Sequence, residues 1–283
     1  MQKNEQYIKV AVLDLNNGFK NQGLRCILNI VSTYAEVKEL PIKTTVFDVR
    51  QKDEVPDTSF DIYISSGGPG SPFDEESWEW EHKYFSLINQ LYLHNIEAAD
   101  GANKKYVFFI CHSFQLACRF FKIGKVCKRK STSFGVFPIH KIWGGLEEPI
   151  FEKLPEPFYA VDSRDFQVIQ PNFEQLNSMG ATVLAIEKER PHVALERAIM
   201  AIRFSKEMIG TQFHPEADAK SMREHLLQDI NKKRVIDEHG EDKYLDMLDK
   251  LEDEDKILLT QSVILPTFLD MAIKQRLIPA MVY

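Results

Sequence analysis

Cysteine is scarce in this chain: Cys26, Cys111, Cys118 and Cys127 are the four in 283 residues. None forms a Cys-x-x-Cys pair, and no His or Cys stands at zinc-finger spacing. This argues against a disulfide framework or structural zinc. Excess positive charge is missing as well. Lys and Arg number 35 against 42 Asp and Glu, a net charge of −7, so neither nucleic acid nor an anionic membrane surface is an expected partner. The one dense basic run, residues 125–130, is expected to be a solvated loop. No apolar stretch reads as long enough to cross a bilayer. The opening MQKNEQYIKVAVLDL lacks the pattern of a signal peptide. A reducing cytoplasm is therefore the expected compartment. There is no internal repeat. His82, His94, His140, His192, His225 and His239 are scattered without ligand spacing, and no metal or cofactor is expected.

What is present is an alternation of apolar β-branched runs with amphipathic stretches, the mark of an α/β fold. Residues 8–13 read as a strand and 23–34 as a helix, with Leu24, Ile27, Leu28 and Val31 at helical spacing. Strands are expected at 44–49 and 60–65, the latter running into Gly67-Gly68-Pro69-Gly70, and a long helix at 78–92. Residues 106–110 (YVFFI) are too uniformly apolar to be a solvent-facing edge. A helix follows at 113–121. Short strands at 134–140, 158–161, 166–170, 182–186 and 198–204 suggest an antiparallel layer added to a mostly parallel central sheet. A further strand, 207–213, precedes a closing helix at 221–232. Beyond it the chain becomes charge-rich, with Tyr244, Leu248 and Leu251 on one helical stripe and a second amphipathic stretch at 257–273 carrying Pro266. Packing of this extension onto the preceding domain is the favoured reading; a dimer contact or a docking surface is the alternative.

Three segments carry chemistry. The buried strand 106–110 leads straight into Cys111-His112-Ser113-Phe114-Gln115. A strand that turns sharply into a helix presents its turn residue at the C-terminal edge of the sheet, where α/β folds bind ligands. A cysteine there also meets the unpaired N–H groups of a helix N-terminus, which favour the thiolate. Cys26, Cys118 and Cys127 lack that context and read as packing residues. The second segment is Gly210-Thr211-Gln212-Phe213-His214-Pro215-Glu216. Pro215 pushes His214 toward an extended backbone, and Glu216 is in position to hold the far nitrogen of its ring. The third is Ser65-Ser66-Gly67-Gly68, whose glycines let backbone approach a substrate. An N–H of this loop together with that of His112 would make an oxyanion hole.

In this order, GGPG, Cys-x-x-x-Gln and GxQFHPE resemble the class I glutamine amidotransferase family. Ser133-Phe134-Gly135 and Asp162-Ser163-Arg164-Asp165 are lesser matches, the latter to a loop ahead of the substrate-contacting strand. The GGPGSPFDEES loop is most similar to the GMP-synthetase-like and γ-glutamyl-peptidase-like branches.

The resemblance implies a flavodoxin-like fold over residues 1–232, with 233–283 as a helical extension. It implies Cys111 as nucleophile, His214 and Glu216 as base and orienter, and Gly67, Gly68, His112, Gln115, Ser163 and Asp165 around the oxyanion and substrate. Phe109 and Ser113 stand where the family has glycines, and Phe109 is expected to intrude on the glutamine side-chain pocket. Three functions follow from the resemblance. One is a glutaminase that passes ammonia to a separate ATP-dependent synthetase, since the residues after Ile230 hold no Gly-rich phosphate loop. Another is a stand-alone hydrolase of γ-glutamyl amides or peptides. The third is a non-catalytic interaction protein that keeps the fold. A homodimer is possible under each.

Overall fold

The computed structural model describes residues 7–19, 22–73, 78–98, 103–191 and 193–277; His192 and positions 74–77 of the GGPGSPFDEES loop lie outside them. Nine strands are described: β1 (Ile8–Asp14), β2 (Ile42–Asp48), β3 (Ile62–Ser65), β4 (Tyr106–Ile110), β5 (Lys125–Lys141), β6 (Phe158–Ile169), β7 (Thr182–Glu187), β8 (Ile199–Arg203) and β9 (Met208–Thr211). The described helices are α1 (Gln22–Val37), α2 (Val49–Lys52), α3 (Trp78–Glu97), α4 (His112–Phe120), α5 (Trp143–Leu146), α6 (Phe173–Met179), α7 (Ala219–Leu226), α8 (Asp229–His239), α9 (Glu241–Glu252) and α10 (Leu259–Leu277).

The strands join in one sheet of order β2-β1-β3-β4-β9-β8-β7-β5-β6. The first five neighbours pair in parallel. From β9 outward the pairing is antiparallel. This is the mostly parallel sheet with an added antiparallel layer that the sequence pattern implied.

Strand side chains alternate between faces, and the parallel half is buried on both. Val10, Val12, Ile62, Ile64, Phe108 and Ile110 pack under α1 and α10, against Ile27, Val31, Ile264, Leu265 and Phe268. Ala11, Leu13, Tyr63, Val107 and Phe109 face the other way, against Trp80, Tyr84 and Leu87 of α3 and Phe114 of α4. A third cluster joins β5 and β6 to the helices after the sheet, through Val136, Val161, Leu226, Tyr244, Met247 and Leu251. The stripe expected at Tyr244, Leu248 and Leu251 is thus turned onto the sheet.

Several expectations are corrected. The basic run 125–130 is not a solvated loop but the start of β5. Alternation carries Val126 into the core and Arg129 into a buried ion pair with Glu187. The strands expected at 158–161 and 166–170 are not two parted by a loop but one, β6, which ends at Ile169. Asp162 and Arg164, two apart and on one face, pair with each other at 2.8 Å inside the protein, so polar composition there is not a loop signal. The expected helix 221–232 is two, α7 and α8, because Gln228 turns extended (φ −66, ψ 131) while Leu226 buries itself.

The span Glu254–Lys274 is long and apolar enough to cross a membrane, contrary to the expectation from sequence. In the fold its Ile264, Leu265, Phe268 and Leu269 are buried in the core beneath the sheet.

Phe268 is the keystone of that contact. It is 2% exposed, and its ring lies edge-on to Phe108 at 5.1 Å. Phe268→Ala should cost about 3–5 kcal/mol, the range for emptying an aromatic core site, read as a lower urea midpoint with an unchanged slope.

Candidate active site

Three parallel neighbours, β3, β4 and β9, end at the same edge of the sheet, and each end carries one of the segments singled out in the sequence. The turn after β4 is tight. Cys111 has φ 50 and ψ −98, a left-handed backbone unusual for a residue with a side chain. Its N–H donates to the carbonyl of Thr211 at 2.7 Å, tying it to β9. Ser113, fully buried, secures the turn from within. Its Oγ accepts from the Ile110 N–H at 2.7 Å and donates to the Ser65 carbonyl at 2.8 Å, bridging β4 and β3.

After β9, the His214 N–H donates to the Val161 carbonyl at 2.8 Å, a one-residue bridge to β6. Its Nδ1 lies 2.9 Å from Oε1 of Glu216, and the ring and Cys111 flank Gly67 together, a Cβ there falling 2.9 Å from Cε1 of His214 and 3.5 Å from Cβ of Cys111. With Nδ1 engaged by the carboxylate, Nε2 is the ring nitrogen left for another partner. Burial by itself lowers the pKa of His214. The charges of Glu216 and Cys111, with the hydrogen bond to Glu216, outweigh it and hold the imidazole well above its ordinary value.

The glycine loop is fitted to these groups. A Cβ on Gly67 would fall 2.9 Å from Cε1 of His214, and one on Gly68 would fall 2.2 Å from the Leu15 carbonyl. The loop is anchored to the end of β1 by Ser66, whose Oγ accepts from the Leu15 N–H at 3.0 Å. A cavity of about 440 Å³ opens over the group, lined among others by Gly68, Cys111, His112, Gln115, Ser163, Asp165 and His214. His112 opens α4, so its N–H is one that no helical carbonyl takes up. Its imidazole is buried and neutral, with a pKa pushed down to about 3 by burial and by the charges of Arg50 and Arg119.

The remaining expected residues are also here, with differences of detail. The Ser163 carbonyl, 3.6 Å from the Cys111 sulfur, faces the site, while its residue is exposed. Asp165 lies within β6 and accepts from Thr132 Oγ1 at 2.5 Å. The Gln115 amide is held by Gln212 Oε1 at 3.1 Å and by the Phe166 carbonyl at 3.3 Å. Gln212, to which sequence reasoning assigned no role, in turn points its Nε2 at the Cys111 sulfur, 3.7 Å away. Its place inside GTQFHPE was the available signal.

Phe109 does not intrude on the cavity. Alternation along β4 turns its ring to the opposite face, edge-on to Phe204 at 5.7 Å. The space comes from the neighbouring strand. Gly210 is its register partner, and a Cβ there would sit 3.0 Å from that of Phe109. The other cysteines are free thiols. Burial raises Cys118 well above its ordinary pKa, and burial with Asp218 brings Cys26 to about 12, which disfavours the thiolate at both.

The sequence signature of the family described as Glutamine amidotransferase class-I matches residues 24–233. The chain belongs to that family. Among solved structures it is similar to a glutamine amidotransferase from Thermotoga maritima, at 15% identity and TM-score 0.66, covering 94% of this chain and 99% of that one. It is similar to a glutamine amidotransferase from Methylobacillus flagellatus at 14% identity and TM-score 0.65, covering 95% and 96%. A GMP synthase-type protein from Thermoplasma acidophilum aligns at 17% identity and TM-score 0.53, covering 96% of each. At such identities the likeness is one of fold. Among curated protein sequences none matches.

The charge pattern makes a measurable demand. Imidazole NMR should find His214 still protonated well above pH 6.5, its ordinary value. Glu216→Gln and Cys111→Ala should each bring the titration down. Because the folded value is the raised one, the resulting stability is complete below about pH 6.5 and fades as pH rises through the folded value.

Proposed function

We propose that this glutamine amidotransferase-family protein hydrolyses the side-chain amide of glutamine, with Cys111 as nucleophile. The supporting observation is that the strained Cys111 turn at the end of β4 and a His214 held by Glu216, 2.9 Å from its Nδ1, line the same cavity. Its sense is that of nucleophile, base and orienter. The Cys111 thiolate attacks the amide carbon of glutamine. Electron density moves onto the carbonyl oxygen, where the backbone N–H groups of Gly68 and His112 are suited to receive it. His214, held by Glu216, protonates the amide nitrogen; the C–N bond breaks and ammonia leaves. The γ-glutamyl thioester then takes up a water deprotonated by His214, releasing glutamate and restoring the thiol. Gln212 and Gln115 brace the sulfur and the wall beside it.

In this reading the ammonia goes to a separate ATP-dependent synthetase. The free thiols suit a reducing cytoplasm.

The test is covalent. Incubation with a diazo-ketone analogue of glutamine should add one equivalent to the intact mass, mapped to Cys111 and lost in Cys111→Ala. Glutamine hydrolysis in Glu216→Gln should fall on the order of 10⁴-fold, as when a triad orienter loses its charge. No adduct, together with amine release from γ-glutamyl peptides, would transfer the same chemistry to a larger substrate. Neither adduct nor release would leave the fold without this activity.

A further inference from the structure

A second cavity, of about 360 Å³, adjoins the first and shares Thr132 and Phe134 with it. Its walls differ in kind. Arg129, Lys188, Arg190 and Lys243 line it, with Asp162, Glu187 and Glu189 as the opposing charges. Phe137, Ile139, Val193 and Met200 form an apolar side.

The charges do not balance. Glu187 alone serves three guanidinium groups, Arg129 at 3.1 Å, Arg164 at 3.3 Å and Arg190 at 2.8 Å. Asp162 is spent on Arg164, at 2.8 Å, and on Ser133. Three buried cations thus meet two buried carboxylates. Glu189 adds little, because its side chain is 78% exposed and lies 4.0 Å from Arg197. The excess extends to the rim. Among the described residues Lys188 has no carboxylate within ion-pair distance; its ammonium stands 4.8 Å over the Phe137 ring, which Lys243 approaches at 4.6 Å. Nε of Arg190 is buried without a hydrogen-bond partner. Burial and then Lys243 and Lys250 lower the Lys188 pKa, against the opposing charges of Glu187 and Asp246.

A buried donor left unpaired and an ammonium left without a counter-ion both cost stability. A ligand that supplies the missing negative charge removes both costs. We propose that this second cavity binds a small organic anion, a carboxylate or a phosphate monoester carried on an apolar body. The oxyanion would meet Lys188 and Arg190, and the body would lie along Phe137, Val193 and Met200. The proposal is independent of the amide chemistry next door.

Calorimetric titration of the full chain at low salt tests it, with phenyl phosphate, benzoate and inorganic phosphate as probes. Phenyl phosphate, benzoate or both should saturate in the low-millimolar range or below, the tighter of the two identifying the head group. Inorganic phosphate, which has no apolar body, should bind about tenfold more weakly. Lys188→Gln and the double variant Lys188→Ala/Arg190→Ala should each weaken the best probe by about tenfold or more, with a retained cooperative unfolding transition as the control for folding. Protein alkylated at Cys111 should bind as before. The proposal is overturned if no probe saturates, if inorganic phosphate binds as well as the aryl probes, if folded Lys188→Gln binds undiminished, or if Cys111 alkylation abolishes binding and so puts the anion in the first cavity.

Discussion

The backbone of Cys111 is the constraint on which the rest depends. A left-handed φ of 50 on a residue with a Cβ costs on the order of 1–3 kcal/mol, and it persists only where the surroundings over-determine it. Here they do so from three directions. The Cys111 N–H is bound to β9, its carbonyl accepts from the Gln115 N–H at 3.0 Å as the first turn of α4, and Ser113 stitches β4 to β3 underneath. The order β3-β4-β9 makes these bonds possible, because parallel neighbours finish at a common edge. Fold and site are in this sense one arrangement: the strand order delivers a glycine loop, a thiol and an imidazole to one point, and the bonds among their backbones hold the thiol in its strained pose.

This explains which features were legible in the sequence. Cys111, His214 and Glu216 could be found because each sits just after an apolar strand, and strand ends are read from composition. The central parallel strands were legible for the same reason, being buried on both faces. Legibility failed where polar residues are buried. Lys125-Val126-Cys127-Lys128-Arg129-Lys130 and Asp162-Ser163-Arg164-Asp165 look like surface by composition. Both are strand, because Arg129, Arg164, Asp162 and Glu187 neutralise one another across strands remote in sequence. Phe109 failed differently. Its fit depends on Gly210, a hundred positions away and opposite it in register. The bulk of Phe109 at the elbow is accommodated by a glycine on the next strand, and only pairing reveals that.

The helices after the sheet bear on the site as well as on stability. Val235, on α8, lines the first cavity although the family signature ends at residue 233. On α9, Met247 packs over Gly135, where any Cβ would fall 3.2 Å from its sulfur. Thr260 and Gln261, at the start of α10, donate to the carbonyls of Tyr159 at 2.6 Å and Glu216 at 3.1 Å. The segment that carries the carboxylate is therefore gripped from below by a helix whose other face fills the core.

That grip matters because of how Glu216 is held. One oxygen faces His214; the other, Oε2, is buried with no hydrogen-bond donor. An unsatisfied buried acceptor costs about 1–3 kcal/mol. A carboxylate surrounded by donors would have its charge dispersed among them and would act less on the imidazole. Left with a single partner in a medium less polarisable than water, it directs its field at His214. The raised pKa of the ring, achieved against burial, is the consequence. Because the stabilisation lies in one contact, the bonds from the His214 N–H to the Val161 carbonyl and from the Gln261 side chain to the Glu216 carbonyl have to keep the two side chains in place. Stability given up at one carboxylate oxygen is thus converted into a charged imidazole beside the sulfur, and the secondary structure around it exists to hold that separation.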